Sequence, residues 1–442
     1  MQTTPKSLRK QIGLFGRTNV GKSSFLNLMA GQDVAITSAL PGTTTDVVEK
    51  PMELWPVGPV LFLDTAGIDD ASPLSPERLK RTASIYKRAD ICVLVLEPDR
   101  LTEFEEAVAR EAASRRLPLI AVINKIDVSA PTLAFINRVR ALTSSLMCCS
   151  STDAAGRERY LDEFSDLVSA ALANEQAQPP LISDLVPAGG LVVLVVPIDL
   201  GAPQGRLILP QVQTIRDALD SDAAALIVKE REYAAALGNL NRTPDLVICD
   251  SQVVMKMVAD APQNVKCTTF SILFARLKGD LQELAAGAAA IDGLKSGDRV
   301  LIAEACTHHA LADDIGRVKI PRWLRQYTGA DLRIEVASGR DYPADLGSFR
   351  LIVHCGSCML TRRETQERLR EAKQAGTPIT NYGLCISAAQ GVLARVLEPF
   401  PAAMEAYRRK SRNPDVETRN KEEIHKSNPM QNASNPSQGM IV

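Results

Sequence analysis

Residues 11–24 read Gln11-Ile-Gly-Leu-Phe-Gly16-Arg-Thr-Asn-Val-Gly21-Lys22-Ser23-Ser24. The apolar run Ile12 to Phe15 predicts a strand, and the pattern from Ser24 to Ala30 predicts a helix. Between them lies the G-x-x-x-x-G-K-S spacing of a phosphate-binding loop. Gly16 and Gly21 let the backbone curl so that its N–H groups and the helix N-terminus face phosphate oxygens. Lys22 then reaches the β- and γ-phosphates, Ser23 ligates magnesium, and Ser24 follows at the start of the helix. The flanking strand and helix are the context this motif requires, which weighs against an ordinary glycine-rich turn.

Outward from this loop, Val60–Leu63, Ile91–Leu96 and Leu119–Ile123 are further apolar runs separated by amphipathic stretches, the rhythm of a doubly wound parallel sheet. The run at Val60 ends in Asp64-Thr-Ala-Gly67, where Asp64 can hold magnesium through water and the Gly67 N–H can meet a γ-phosphate. The run at Leu119 ends in Asn124-Lys125-Ile126-Asp127. A carboxylate at Asp127 only accepts hydrogen bonds, so it matches the paired ring N–H and amino donors of guanine, which adenine lacks. GTP is the expected nucleotide, and Cys149-Ser150-Ser151 falls where a base-contacting loop is expected.

Together, Asn19-Val-Gly-Lys-Ser and Pro41-Gly-Thr-Thr-Thr-Asp46 resemble the Era and TrmE branch of translation-factor-like GTPases. That resemblance implies that Thr44 is a switch residue on magnesium. After Gly67 stands Ile68, where Ras-like enzymes carry a glutamine that orients the attacking water. An aliphatic side chain cannot orient water, so hydrolysis is slow or recruits another group. In the resembling branch an asparagine at the position of Asn19 is associated with potassium activation. Asn19 as a brace of the loop is the alternative. The expected catalytic set is Lys22, Thr44, Gly67 and Asn19.

The chain has 442 residues, about three times a roughly 150-residue domain. It is 45% hydrophobic and 23% charged, a globular composition, and its 51 Lys and Arg nearly balance 52 Asp and Glu. No global charge excess drives association with nucleic acid or an anionic membrane. Apolar stretches such as 185–198 fall short of the roughly 18 residues a membrane span needs. The N-terminus lacks a secretory pattern, so a cytoplasmic protein with nine reduced cysteines is expected.

A composition shift over 174–187 predicts a boundary near 178. The expected organisation is a P-loop GTPase domain (1–177), a small α/β domain (178–265), an α/β domain (266–408) and a disordered tail (409–442). In the third block, strands are expected at Arg299–Ala303, Asp331–Val336, Phe349–His354 and Ile379–Cys385. Helices are expected at Leu277–Ala288, Pro321–Tyr327, Arg362–Ala375 and Ala388–Leu397.

Three of the four histidines lie beside cysteines. One predicted strand ends in Glu304-Ala-Cys306-Thr-His308-His309 and another in His354-Cys355-Gly-Ser-Cys358. Parallel strands place their C-terminal ends at one sheet edge, so the clusters can converge. Cys306, Cys355 and Cys358 supply three thiolates; the fourth position could be His308, His309, His354, Glu304 or an exchangeable ligand. Ligand type alone leaves zinc and iron–sulfur both open. Cys92, Cys249 and Cys385 read as packed small hydrophobes, and Cys148, Cys149 and Cys267 show no ligand spacing.

Cys306-Thr-His308, His354-Cys-Gly-Ser-Cys358, Phe270-Ser-Ile-Leu-Phe-Ala-Arg-Leu-Lys-Gly-Asp280 and Asn381-Tyr-Gly383 resemble the HydF family of FeFe-hydrogenase maturation GTPases, over residues 7 to about 405. The resemblance implies a GTPase, a dimerisation domain and a 4Fe-4S domain, with a homodimer formed through residues 180–265. Three cysteines would leave the fourth iron a labile ligand, with His308 and His354 the nearest candidates. It further implies a scaffold and carrier that works with two radical-SAM maturases and delivers a two-iron subcluster to apo FeFe-hydrogenase. The rival is an Era- or TrmE-like GTPase of ribosome or RNA maturation with a structural zinc site. Against it, the chain is nearly neutral and has no recognisable GXXG or aromatic RNA-binding motif.

Overall fold

The computed structural model describes residues 5–31, 48–64, 76–173, 178–198, 207–305, 314–339 and 342–412. These fall into two compact units, residues 1–178 with 360–367 and residues 179–359 with 368–442.

The first unit is built on a six-stranded sheet of β1 (Lys10–Phe15), β2 (Val48–Leu54), β3 (Gly58–Asp64), β4 (Ile91–Leu96), β5 (Leu119–Ile123) and β6 (Ser145–Cys148). The order is β2-β3-β1-β4-β5-β6, parallel except for β2, which runs antiparallel to β3. Successive strand residues point to opposite faces. Val93 and Val95 of β4 therefore enter one core, with Ile12, Leu14 and Val122, while Cys92 and Leu94 enter the other, with Leu63, Ala121 and Ile123. Both faces are covered, as continuous apolar strands require. β2 carries Pro51, tolerated because β2 is an edge strand.

The second unit has two four-stranded parallel sheets. One contains β7 (Leu191–Val195), β8 (Ala224–Val228), β9 (Leu246–Cys249) and β10 (Lys266–Thr269) in the order β10-β9-β7-β8. The other contains β11 (Arg299–Glu304), β12 (Arg333–Ser338), β13 (Leu351–His354) and β14 (Ile379–Asn381) in the order β12-β11-β13-β14. A single apolar core runs beneath both: Val193 and Ile248 belong to the same buried cluster as Ile302 and Ile352.

The α/β class expected from sequence is the observed one. Several elements differ, each for a local reason. A strand was expected over Ile379–Cys385, yet β14 stops at Asn381, whose Oδ1 accepts from the Leu384 N–H at 2.9 Å and caps the helix Tyr382–Ala389. Cys385 is thus buried in a helix, not a strand. The single helix expected over Leu277–Ala288 is two, Phe270–Lys278 and Leu281–Ala288. Asp280 caps the second by accepting from the N–H groups of Gln282 and Glu283. The helix expected over Ala388–Leu397 is likewise interrupted, at Gly391 with φ +73°, and only Leu393–Leu397 continues. Strands β2, β6 and β10 were not anticipated. β10 begins at Lys266, where a third block was expected to start, but it is the edge strand beside β9. Residues 409–412, assigned to a tail, complete the helix Pro401–Arg412.

Candidate functional site

The nucleotide loop follows β1. Gly16 has φ +150°, and a Cβ there would lie 2.7 Å from the Val95 carbonyl oxygen. Gly21 has φ +92°, and its Cβ would lie 2.3 Å from Asn124 Nδ2. Both glycines are therefore required by backbone angle and by space. The helix Lys22–Ala30 starts at once, with Ser23 and Ser24 exposed in its first turn. Lys22 Nζ lies over the loop, 2.9 Å from the carbonyl oxygens of both Gly16 and Arg17. Asn19 is exposed and left-handed, φ +64°, and its carbonyl accepts from Lys125 Nζ at 2.5 Å.

The base-side residues at the end of β5 are tied to this loop. Buried Asn124 donates to the Val20 carbonyl at 3.0 Å and accepts from Ser151 N–H at 3.0 Å and Ser151 Oγ at 2.7 Å. Lys125 also pairs with Glu97 at 2.6 Å. Asp127 is exposed, and hydrogen bonds from Ser150 and Thr152 hold its carboxyl below the ordinary aspartate range, so it is an anion ready to accept. Ser150 and Ser151 therefore do stand beside the expected base-binding residues.

One feature of this site has no motif. Arg17 pairs with fully buried Glu105 at 2.5 Å, fixing the loop to the helix Glu103–Ser114. Burial would raise the Glu105 carboxyl, but hydrogen bonds from Thr102 and Arg17 outweigh it and hold it low. Asp64 ends β3 with 1% exposure. Thr44, Gly67 and Ile68 lie outside the described residues.

The cysteine-bearing strand ends meet at the C-terminal edge of the third sheet. Ala303 is in register with His354, and the Cys355 N–H donates to the Ala303 carbonyl at 3.0 Å. In return the Ala305 N–H donates to Cys355 Sγ at 3.2 Å. Burial pushes the Cys355 thiol up to about 11, opposed by N–H donation from Ser357 and Ala305. Cys355 and Cys358 flank a turn in which Ser357 is left-handed, φ +57°. Cys306 and His308 lie outside the described residues, as does His309. Among the described residues no group of three or more His, Cys, Asp or Glu side chains is arranged to hold a metal ion.

Two candidate fourth ligands are engaged by protein groups. His354 is buried; its Nδ1 is 2.8 Å from the Cys355 carbonyl, so it carries the proton, and its Nε2 accepts from Arg368 at 2.8 Å. Burial, then the Arg368 charge, push the imidazole down to about 3, so it stays neutral. Buried Glu304 pairs with Arg317 at 2.8 Å and accepts from Ser338 Oγ at 2.9 Å. As placed, both side chains brace the edge. Lys278, buried at 3% exposure, donates to the carbonyls of Ser357 at 3.0 Å and Cys358 at 3.4 Å. In the sequence the signal for Lys278 is a lysine closing an otherwise apolar helix. Two thiols on one turn, an N–H aimed at sulfur and a buried ammonium suit a thiolate-bound anionic group such as an iron–sulfur cluster.

The first unit, with its phosphate loop and guanine-side Asn-Lys-Ile-Asp, defines a P-loop GTPase, here extended by two parallel-sheet modules. Three family models match in succession: 50S ribosome-binding GTPase over residues 11–125, hydrogen maturase F dimerization domain over 181–279 and hydrogen maturase F tetramerization domain over 282–399. The chain belongs to the hydrogen maturase F (HydF) family of hydrogenase-maturation GTPases. A Synechococcus tRNA modification GTPase MnmE is 44% identical over 125 residues, 27% of this chain and 26% of that protein. GTPase Der of Persephonella marina is 36% identical over 171 residues, 36% of this chain and 38% of that protein. The chain thus covers less than half the length of either relative. No helix of the described residues is long and apolar enough to cross a membrane.

Proposed function

We propose that this GTPase is the scaffold and carrier on which a two-iron subcluster precursor is assembled and from which it is delivered to apo FeFe-hydrogenase. A 4Fe-4S cluster held by Cys306, Cys355 and Cys358 is the resident group, and radical-SAM maturases and a second copy of the chain are the partners. The observation that carries the reading is the Ala305 N–H donated to Cys355 Sγ, because Ala305 immediately precedes Cys306. The ends of β11 and β13, far apart in sequence, thereby meet at one sheet edge, which supports the reading. Three thiolates leave one iron for an exchangeable ligand, the condition for docking a metal fragment. With His354 and Glu304 engaged elsewhere, His308 or an external ligand is the better fourth partner. The two maturase models over residues 181–399 support a homo-oligomer, with residues 180–265 as the dimer-forming part. The rival RNA-linked reading is supported by a tRNA modification relative that matches 27% of this chain.

On the nucleotide side, Gly16, Gly21 and the N-terminus of the helix at Lys22 present N–H groups to the phosphates. Lys22 moves from the loop carbonyls to the β- and γ-oxygens. Ser23 and Thr44 ligate magnesium, with Asp64 behind a water and Gly67 at the γ-phosphate, while Asn124, Lys125 and Asp127 hold the base. Asn19 holds potassium beside the phosphates, supplying the positive charge that an arginine finger brings elsewhere.

Anaerobic purification tests the reading. The wild-type chain should be brown, with about four irons per protomer by cluster stoichiometry, and Cys355→Ala should lose most of them and fail to activate apo-hydrogenase. Its GTP turnover should stay within about twofold, since the nucleotide residues are in the other unit. A colourless zinc protein, or full iron and activation in Cys355→Ala, would sink the proposal.

A further inference from the structure

The helix Phe270–Lys278 is apolar along most of its length, with Phe270, Ile272, Leu273 and Phe274 all buried. Its last residue, Lys278, is nonetheless 3% exposed. Placing an ammonium out of water is costly unless something compensates it. What the helix delivers it to is the cysteine turn, where Nζ meets the Ser357 carbonyl at 3.0 Å and the Cys358 carbonyl at 3.4 Å. Ser357 is left-handed, φ +57°, a conformation that costs a serine free energy unless the surroundings hold it. The ammonium sits on the carbonyl of that strained residue and on that of the cysteine after it. The lysine also stands where helix carbonyls end, the terminus that favours a cation.

We propose that Lys278 is a positioning and charge-compensating residue of the thiolate site. It clamps the turn carrying Cys355 and Cys358, and its buried positive charge sets the reduction potential of the cluster bound there. The inference rests on the cluster reading above. A cluster held by three thiolates becomes more negative by one charge on reduction. A fixed cation in a low-dielectric environment stabilises the reduced form more than the oxidised form. Lys278→Met keeps an unbranched apolar stem one atom shorter but removes the charge, whereas Lys278→Arg keeps the charge.

The test is a redox titration of the full chain, followed by electron paramagnetic resonance, with iron content measured in parallel. Lys278→Met should retain iron and move to a more negative midpoint, by roughly tenfold in the redox equilibrium, or about 59 mV for a one-electron couple. Lys278→Arg should stay near wild type. Loss of iron in Lys278→Met with retention at wild-type potential in Lys278→Arg would equally support the clamp. Full iron at an unchanged potential in Lys278→Met would overturn the proposal and leave the cluster reading standing. Equal iron loss in both variants would also overturn it, because packing rather than charge would then govern the site. A wild-type chain without a cluster would bring down the cluster reading itself, and this inference with it.

Discussion

The nucleotide loop and the cysteine turn occupy equivalent places in their sheets, each at the C-terminal edge of parallel strands, yet they are built in opposite ways. The loop after β1 is a contiguous motif whose backbone is the binding surface. Its glycines are dictated by φ and by neighbours as close as 2.3 Å, and its side chains Lys22 and Asn19 are exposed or only partly covered. The turn after β13 is assembled from afar. Lys278 lies 79 positions from Ser357, Arg368 supports His354 from 14 positions away, and Ala305 reaches Cys355 across 50. The lesson is that a surface made of backbone can be written as a local pattern. A site whose charges must be neutralised inside the protein depends on partners that only the fold brings together.

The comparison can be broken most severely at the loop. Lys22→Ala should lower GTP turnover by roughly 10²–10³-fold, the cost of removing a fixed charge from a phosphoryl-transfer site. Iron content should not change, and phosphate release measured beside iron analysis would expose any coupling that this picture lacks. On the base side, Asp127→Asn should reduce preference for GTP over other nucleotides by roughly 10–100-fold, as expected for losing hydrogen bonds to a charged acceptor. Wild-type selectivity in a competition assay would remove Asp127 from the base site.

The smallest effect concerns a place where the loop also relies on a distant buried charge. Glu105 has its carboxyl held below the ordinary 4.5 in the folded chain, so its contribution is fully present above that pH and is lost as pH falls through the lower folded value. Glu105→Gln, which retains an acceptor but not the charge, should destabilise at pH 7 by roughly 1–2 kcal/mol. The gap from wild type should narrow in melts at pH 4. A gap that widened in acid would contradict the assignment of Glu105 as the anion beneath Arg17.

How much could be read beforehand follows the same division. The runs at Ile12, Val60, Ile91 and Leu119 became β1, β3, β4 and β5 because strands buried on both faces must be continuously apolar. The segment after Asn381 defeated the same rule, since Tyr-Gly-Leu-Cys-Ile-Ser-Ala-Ala is apolar on all sides and buried as a helix. Its only local cue was the capping asparagine. β10, with the sequence Lys-Cys-Thr-Thr, has too few apolar residues to announce a strand, and it is held by its pairing with β9. At the sites, Asn124, Lys125 and Asp127 were legible as a motif. The engagement of His354 by Arg368 and of Glu304 by Arg317 was not, because nothing in residue type says where a side chain's hydrogen bonds are spent.

Asn124 has one further consequence. Its amide joins the Val20 carbonyl on the phosphate side to Ser151 on the base side. The two halves of the nucleotide pocket are thus cross-braced through a single planar group, and the spacing between them is set before any nucleotide arrives. A guanosine docking by its base alone would find its phosphate cradle already at the correct span, so less chain entropy is lost on the second contact. Tight retention of the nucleotide can then come from geometry rather than from additional contacts.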